Sequence, residues 1–161
     1  MRFATERYTI NPRQLGRAFI HLTNFSVNAK NEAHFHAALG DFSGSKWTFE
    51  MLRTRFTDLG IDSKLVFSRI ADLIVKTLIS VAPQVNHQIK HFSKNASPNQ
   101  NTSFELFGFD VILDDALRPW LLEVNTGPSL SCPSLLDRQI KYSLLADLYT
   151  LIGLQLFSQG G

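Results

Sequence analysis

The sequence contains a single cysteine, Cys132, among its 161 residues. One thiol cannot form a disulfide within the chain, and no cysteine or histidine cluster with the spacing of zinc ligands surrounds it. This scarcity excludes a small secreted scaffold held by disulfides and indicates a reducing compartment. We interpret Cys132 as a small buried residue or a loop residue.

An excess of charge of one sign is also lacking. Lysine and arginine total 16, aspartate and glutamate total 14, and the formal net charge is only +2. The basic residues are spread singly and form no dense stripe, which argues against nucleic acid as a partner. The mild basic excess favours an acidic partner instead.

Long apolar runs are absent as well. The segment from Met1 to Arg7 lacks the apolar core of a secretion signal, and no later stretch has enough consecutive apolar residues to cross a bilayer. We therefore expect a cytosolic protein without a membrane partner. Hydrophobic residues still make up 44% of the sequence, which is ample for a packed core in one domain or in part of a larger one.

The beginning of the chain is rich in loop signals. Residues 1–17 have little apolar periodicity and a turn signal at Asn11-Pro12, which predicts a connecting loop. The run from Phe19 to Phe25 is predicted as a short strand or extended segment, followed by a polar loop to about Ser45. Because the chain does not open with a strand or a capped helix, we expect that a preceding part of the domain is missing.

Two helices are predicted in the middle of the chain. Ser45 can cap the first, whose apolar residues have helical spacing until Gly60 ends it. Asp62 can cap the second, which should stop at Pro83 because proline disrupts a helix interior. The broad apolar stripe of the second helix is interpreted as core packing. The apolar positions are Leu52, Phe56 and Leu59 in the first helix and Val66, Ile70, Leu73, Ile74, Leu78 and Val81 in the second.

The last part of the chain predicts a β-hairpin and a helix. Residues 94–102 are polar and rich in asparagine, so we expect a mobile loop there. The runs from Phe104 to Leu113 and from Arg118 to Asn125 are β-prone, and a turn at 114–117 joins them into a hairpin. A proline- and serine-rich loop at 126–134 then leads to a final amphipathic helix. The apolar side of this helix consists of Leu136, Ile140, Leu144, Leu148 and Ile152.

The predicted hairpin brings the oxygen-bearing side chains of Asp110, Glu123 and Asn125 to one face. With a two-residue turn at residues 115–116, Asp110 pairs with Leu121. Residues two apart share a face of a strand, so Leu121, Glu123 and Asn125 lie on the same side. Asp110 is then the diagonal neighbour of Glu123, at a backbone separation of roughly 7–8 Å. A slip of one residue would scatter the set, so the prediction depends on the turn.

Two carboxylates and an amide suit a hard cation. They fit Mg²⁺, which keeps some of its waters and takes its remaining ligands from substrate phosphates. Nothing soft is present among them, which disfavours zinc and copper. Burial of two carboxylates without cationic partners would cost several kcal/mol, which favours a functional interpretation. The alternative is a solvated outer face of the sheet, where the same side chains only contact water, and spacing alone leaves both interpretations open.

Several separate segments, rather than one, resemble the motifs of a single enzyme family. In chain order they are Arg2-Phe3-Ala4-Thr5, His21 to Asn28, Lys46-Trp47, Phe104 to Val111, Arg118 to Asn125 and Pro128-Ser129-Leu130. They occur in the order found in the tubulin-tyrosine-ligase-like family, whose signature they closely resemble. The resemblance runs along nearly the whole chain, and among the branches of the family it is nearest the polyglutamylases.

The resemblance implies an α+β fold of the ATP-grasp type, of which this chain would be the C-terminal portion. In that fold two lobes hold ATP, and two Mg²⁺ ions bridge its phosphates. Arg2 matches an arginine that contacts ATP phosphate, so it is expected both to bind the nucleotide and to serve catalysis. Thr23 and Asn24 match the segment that borders the nucleotide and the acceptor, and they are expected to be catalytic, with Asn24 also contacting ATP. Three residues match the metal ligands of the family, in agreement with the pleat argument: Asp110, Glu123 and Asn125.

The reaction that the resemblance implies is ligation. ATP phosphorylates a carboxylate, and the amine of an incoming amino acid displaces the phosphate to give an amide or isopeptide bond. For a polyglutamylase the expected substrates are free L-glutamate and the acidic C-terminal tails of tubulin, which would locate the protein in the cytoplasm on microtubules, including those of cilia or flagella. Cations neutralise the charge that builds up when a carboxylate attacks a triphosphate. No protein nucleophile is needed, so Cys132 is not expected to be catalytic.

The sequence also departs from the family pattern. Ala29 stands where many relatives have a lysine, with Lys30 one position later, and Thr126-Gly127 replaces a commoner pair of a small residue and serine. The family's N-terminal part, with the lysines and the hinge that hold the nucleotide, has no counterpart among residues 1–161, so we expect that part to be missing. Residues 1–161 are therefore expected to be a partial domain that is inactive alone. An inactive relative that binds microtubules or another acidic protein, and a ligase for glycine or tyrosine, remain alternatives.

Overall fold

The computed structural model describes residues 1–24, 27, 45–92 and 104–153 of the chain. It contains two compact units, Met1–Ser63 and Lys64–Gly161. Helices and an antiparallel strand pair confirm the predicted α+β class. No helix within these ranges has both the length and the apolar character needed to cross a membrane. The elements are α1 (Ala18–His21), α2 (Phe49–Asp58), α3 (Ser63–Phe92), β1 (Gly108–Leu113), β2 (Pro119–Asn125) and α4 (Leu135–Leu151).

The opening segment of the first unit is tied to the segment that precedes α2. The Phe3 amide donates to the Ser45 carbonyl at 2.8 Å, and the Trp47 amide donates to the Met1 carbonyl at 3.0 Å. The rings of Phe3 and Trp47 pack with their centroids 4.5 Å apart. This short antiparallel contact makes part of the predicted loop strand-like, because backbone pairing and ring packing act at the same place.

The next residues form a turn where the sequence predicted one, and then a short helix where it predicted an extended segment. The Asn11 side chain accepts from the Arg13 amide at 3.1 Å and caps a single 3-10 turn, Pro12–Gln14, as the Asn11-Pro12 signal predicted. The predicted strand from Phe19 is wrong at its start, because α1 is helical there and its Ile20 is only 3% exposed. Burial of Ile20 outweighs the β-preference of the local sequence. Leu22 is extended, as predicted, with φ −110° and ψ 130°.

Helix α2 ends as predicted but begins three residues later than expected. Thr48, not Ser45, is its N-cap, and the Thr48 hydroxyl accepts from the Met51 amide at 3.0 Å. Ser45 cannot serve as the cap because its carbonyl accepts a hydrogen bond from the opening segment. Leu52 and Phe56, at 5% and 6% exposure, form the buried side of α2, as the spacing predicted.

The end of α2 is closed by a left-handed glycine. Gly60 has φ +67°, its amide donates to the Thr57 carbonyl at 3.0 Å, and the Ile61 amide donates to the Phe56 carbonyl at 2.8 Å. This pair of bonds is the Schellman arrangement, which satisfies carbonyls that a helix end leaves open. The prediction that Gly60 ends the helix is confirmed. Leu59, predicted on the apolar side, is instead 55% exposed.

Helix α3 starts at Ser63, directly after Asp62, and does not stop at Pro83 as predicted. Proline has no backbone N–H, so Pro83 cannot donate a hydrogen bond to the carbonyl four residues earlier. The helix nevertheless continues, because it is long and forms on both sides of the proline. The interpretation of its stripe as core is confirmed at Val66, which is 2% exposed. It is wrong at Leu78 and Val81, which are 39% and 45% exposed within the described part of the chain.

The final helix, α4, confirms the last predicted element. The Ser134 hydroxyl accepts from the Asp137 amide at 3.1 Å and donates to the Asp137 carboxylate at 2.6 Å, which closes the helix start. Its predicted apolar side is not a core in the second unit, since Ile140 and Leu144 are exposed. Ile152 follows the helix as its C-cap. The polar loops predicted before Ser45 and at 94–102 lie outside the described residues, as do Ala29 and Lys30.

The hairpin turn lies where the sequence predicted it but contains one more residue. Leu113 pairs with Pro119, and the Asp114 amide donates to the Arg118 carbonyl at 3.0 Å, so the loop consists of residues 115–117. Its last residue, Leu117, has φ 56° in the left-handed region. A three-residue loop that ends in a left-handed residue is a common hairpin connection, although glycine or asparagine usually occupies that position.

The Asp114 carboxylate holds this loop from inside. Its Oδ1 accepts from the amides of Ala116 at 3.0 Å and Arg118 at 2.8 Å, and its Oδ2 accepts from the Trp120 indole N–H at 3.0 Å. The Trp120 bond lowers the pKa of Asp114 most, and the Arg118 and Ala116 amides and the Arg118 charge lower it further, against a smaller rise from burial. The ionised form is therefore the one that the folded turn favours.

Replacement of Gly60 by alanine tests the closure of α2. The added methyl group meets nothing within 4 Å, so its effect should come only from the positive φ, at a cost of about 1 kcal/mol in the free energy of unfolding. Urea denaturation measures this difference. Gly16→Ala, which also has open space but no positive φ, is the matched control and should change stability by less than half as much. Equal effects of the two variants would contradict the assignment.

Acidification should remove the contribution of Asp114 to the hairpin. The folded pKa lies below the ordinary value of 3.8, so the stabilisation is present above that value and is lost as the pH falls through the folded pKa. The difference in unfolding free energy between wild type and Asp114→Asn should be constant from about pH 7 to about pH 5 and shrink below the ordinary value. Urea titrations at several pH values measure it. A difference that persists unchanged into strong acid would show that the charge of Asp114 is irrelevant.

Candidate functional site

The hairpin pairs Asp110 directly with Glu123, which corrects the predicted pairing of Asp110 with Leu121. Near the turn the pairing is regular, with Val111 opposite Leu121. Between Asp110 and Val111 the register shifts, because Leu122 is an extra residue of β2 that has no partner on β1. This is a β-bulge, which re-aims the side chains that follow it.

Two irregularities together produce the observed pairing. The loop has three residues instead of two, which moves the partner of Asp110 from Leu121 to Leu122. The bulge moves it one residue further, to Glu123. With the longer loop alone, Glu123 would have been on the opposite face from Asp110, because each single step reverses the side of a strand. The bulge therefore restores the meeting of the carboxylates that the simpler turn had predicted.

Directly paired residues share one face of a hairpin, so the candidate metal face can be read from the register. Asp110 and Glu123 form its central pair, and the Asn125 side chain donates to Glu123 Oε1 at 3.2 Å. The predicted gathering of these three side chains on one face is confirmed, with the carboxylates directly opposite rather than diagonal. Leu121 was predicted on this face and is not, because the bulge leaves it paired with Val111 on the other side.

The carboxylates of this face are not buried, unlike the case considered from the sequence. Asp110 and Glu123 are both exposed, so a burial cost does not apply to them. Like charges directly opposite on paired strands destabilise a hairpin, and a bound cation would remove that repulsion. In the described part of the chain no lysine or arginine forms an ion pair with either carboxylate. The pair therefore has the chemistry of a cation-binding site, although exposure alone also fits the solvated alternative.

The third donor of the set is an amide rather than an acid. Among the described residues no group of three or more histidine, cysteine or acidic side chains comes together. Two carboxylates with Asn125 offer hard oxygen ligands, which suit Mg²⁺. The donor set present on this face therefore fits a divalent magnesium ion that keeps part of its water shell.

A glycine allows the following loop to approach this face closely. Gly108 pairs with Asn125, and a Cβ at position 108 would lie 3.0 Å from the Pro128 Cβ and 3.6 Å from the Asn125 Cβ. A separation of 3.0 Å is tight, and a Cβ at position 108 would require its neighbour to give way by a few tenths of an ångström, so glycine fits here more easily than a residue with a side chain. The segment beginning at Pro128, which was singled out in the sequence, thus contacts the hairpin beside the predicted ligands.

Arg2 lies in the first unit, directly opposite Lys46 in the short antiparallel contact. The amides of Phe3 and Trp47 form the hydrogen bonds on either side, so Arg2 and Lys46 are a non-hydrogen-bonded pair, the type in which side chains are closest. Two cationic residues thus share one face, with Arg2 exposed. Two positive charges at such close range are unfavourable unless negative charge lies nearby.

The other predicted catalytic residues follow α1 in the same unit. Thr23 and Asn24 are exposed, and the Asn24 carbonyl accepts from the Val27 amide at 3.2 Å. His21 makes two contacts within the first unit. Its Nε2 lies 3.3 Å from the Gln14 carbonyl, and its ring packs edge-on against Tyr8 with 5.5 Å between the centroids. A tautomer with the proton on Nε2 donates to that carbonyl.

Sequence reasoning missed the part played by Asp114 in this region. It read Asp114 only as a turn-forming residue, although an aspartate at the first position of a turn often accepts from backbone amides further on. That signal could have identified its bonds to the loop amides. The bond to Trp120 depends on the register and had no local signal. Cys132, whose thiol donates to the Leu130 carbonyl at 3.3 Å, is a half-buried loop residue, as interpreted.

Comparison with known proteins gives a consistent picture. A tubulin polyglutamylase, TTLL5 of Mus musculus, is 38% identical over 155 residues, which cover 94% of this chain and 11% of that protein. The tubulin monoglutamylase TTLL4 of Homo sapiens is 39% identical over 155 residues, covering 95% and 12%. The tubulin polyglutamylase TTLL6 of Mus musculus is 40% identical over 154 residues, covering 95% and 18%. The chain thus spans 11–18% of the length of these relatives.

The match extends over the whole set of motifs discussed above. The sequence profile described as "Tubulin-tyrosine ligase family" matches residues 1–156, which include the Arg2–Lys46 contact and the complete hairpin. The relatives also align with more than nine-tenths of the chain. The resemblance found in the sequence is therefore confirmed, and the chain belongs to the tubulin-tyrosine ligase family.

Proposed function

We propose that this chain is the metal-binding part of an ATP-dependent ligase that adds glutamate to glutamate side chains of tubulin tails. The observation that carries the proposal is the Asp110–Glu123 pair, two carboxylates directly opposite on an exposed face with Asn125 bonded to one of them. Relatives named as tubulin polyglutamylases and a tubulin monoglutamylase favour glutamate over glycine or tyrosine. The acceptor would be an acidic tubulin tail on a microtubule in the cytoplasm, with cilia or flagella as a further location.

The proposal includes a division of labour within an ATP-grasp fold. Residues 1–161 would be a partial domain, and the nucleotide lobe would be supplied from outside them. Alignment of the chain with 11–18% of the length of its relatives is compatible with such a part. The mild positive net charge of +2 is suited to an acidic acceptor, and neither nucleic acid nor a membrane is needed as a partner.

The residues of this chain would act mainly by binding and charge. The γ-carboxylate of an acceptor glutamate is phosphorylated by ATP, and the amine of free L-glutamate then displaces phosphate to form an isopeptide bond. Asp110, Glu123 and Asn125 would hold two Mg²⁺ ions, which when bound supply positive charge to the phosphate oxygens. Arg2 would bind phosphate through its guanidinium group, which can form two parallel hydrogen bonds to it.

The remaining site residues would border both substrates. Thr23 and Asn24, exposed beyond α1, would offer a hydroxyl and an amide to the nucleotide and the acceptor. Neither residue provides a nucleophile, and none is required, because the acceptor carboxylate itself attacks the terminal phosphate. Catalysis would then come from positioning and from stabilisation of the charge that develops on phosphate.

Glu123→Gln tests the metal role of the hairpin. The change removes one charge and one strong oxygen ligand while it keeps the size of the side chain. Incorporation of radiolabelled glutamate into tubulin by the full-length protein should fall at least about 100-fold at limiting Mg²⁺. Glu50→Gln, an exposed residue in the first turn of α2, is the control and should retain activity. A Glu123→Gln enzyme as active as the wild type would refute the proposed ligand set.

Arg2→Gln tests the proposed phosphate contact. Loss of a charge-assisted hydrogen bond should raise the KM for ATP about tenfold or more, and Arg2→Lys should lie between the variant and the wild type because lysine keeps the charge without the paired donors. Steady-state kinetics with varied ATP measure the effect. Arg13→Gln, an exposed arginine in the same unit, should leave the KM for ATP unchanged. If Arg2→Gln behaves like this control, Arg2 does not bind the nucleotide.

A further inference from the structure

The loop of the hairpin contains one residue in a strained backbone conformation. Leu117 has φ 56°, a conformation in which a side chain with a Cβ is disfavoured by about 1–2 kcal/mol. The loop keeps this conformation while Asp114 Oδ1 accepts from the amides of both Ala116 and Arg118. The Asp114 side chain therefore offsets the strain and favours the three-residue loop over alternative connections.

The length of the loop determines what lies opposite Asp110. With the three-residue loop, the bulge at Leu122 places Glu123 directly across from Asp110. A change of one residue in the loop would carry Glu123 to the other face of the hairpin, since side chains alternate along a strand. A group that stabilises the three-residue loop therefore also keeps Asp110 opposite Glu123, although the loop lies at the far end of the strands.

The second oxygen of Asp114 reaches into the strand itself. Oδ2 accepts from the Trp120 indole N–H at 3.0 Å, and Trp120 pairs with Ile112 on the same face as Asp110 and Glu123. Trp120 is 58% exposed, so packing alone does little to fix the orientation of its ring. The hydrogen bond joins the loop to the strand residue that lies two positions before the bulge.

We propose that Asp114 is a positioning residue for the metal face: Oδ1 holds the loop register that sets Asp110 opposite Glu123, and Oδ2 holds Trp120 on the same face. This inference rests on the proposed function, in which that face binds Mg²⁺. Asp114 itself does not bind the ion, and it acts through the register of the strands. Its neighbour Asp115, in the same loop, provides a control of equal charge.

The chemistry of the two oxygens allows their roles to be separated. Asparagine at position 114 keeps an acceptor equivalent to Oδ1 but replaces Oδ2 by an NH₂ group, which cannot accept from Trp120. Trp120→Phe removes the same bond from the other side. Asp114→Ala removes both oxygens, and a second change of Leu117 to glycine would relieve the strain that the alanine variant leaves uncompensated.

Binding of Mn²⁺ alone to the full-length protein, followed by electron paramagnetic resonance, tests the proposal. Asp114→Ala should weaken Mn²⁺ binding about tenfold or more. Asp114→Asn should keep an affinity within about threefold of the wild type, because asparagine keeps the loop bonds. Trp120→Phe should match Asp114→Asn, and Asp115→Asn should match the wild type. The double variant Asp114→Ala with Leu117→Gly should recover most of the affinity, which also covers the case in which Asp114→Ala alone does not fold.

The outcomes separate this proposal from the proposed function. If Glu123→Gln loses Mn²⁺ binding while Asp114→Ala and the double variant both bind as well as the wild type, Asp114 is not a positioning residue and the metal site stands. Equal losses in Asp114→Asn and Asp114→Ala would also overturn the role assigned to the loop bonds. If Glu123→Gln itself binds Mn²⁺ normally, the metal face is wrongly assigned and the proposed function fails first.

Discussion

A one-residue bulge at Leu122 controls which side chains of the hairpin meet. The strands are joined by a three-residue loop, and in that register alone Asp110 and Glu123 would point to opposite sides. The extra residue in β2 restores their pairing, at the cost of placing two negative charges directly across from each other. Such a repulsive pair on an exposed face, with an amide beside it, has the chemistry that suits a cation, and this is the basis of the proposed metal site.

The two ends of the hairpin are linked by this constraint. At the turn, Asp114 uses both carboxylate oxygens to hold a loop that contains a left-handed leucine. At the open end, Gly108 lets the loop at Pro128 approach the hairpin closely. The backbone register between the two ends places Asp110 opposite Glu123 and Gly108 opposite Asn125. Family membership gives the site its proposed chemistry, since the reaction joins two anionic groups and needs positive charge where they meet.

Local signals in the sequence predicted much of this architecture. Gly60 ended α2 as expected, because a glycine after an apolar helical pattern has a conformational preference of its own. The hairpin and its location were likewise local. The register was not, since neither the added loop residue nor the bulge at Leu122 leaves a clear mark in a run of apolar residues. The prediction of Ser45 as a cap is wrong because Ser45 pairs with Phe3, which is distant in sequence. At Ile20 tertiary burial outweighed β-propensity.

We propose that Asp110 and Glu123 share a cation on the exposed face of the hairpin. Crystals of the full-length protein grown with ATP and Mn²⁺, and measured at the manganese absorption edge, test it most directly. We expect an anomalous peak on the face of the hairpin that carries Asp110 and Glu123, with carboxylate oxygens of both residues about 2–2.5 Å from the ion. Manganese bound to the nucleotide and to other side chains, with neither Asp110 nor Glu123 among its ligands, would contradict it.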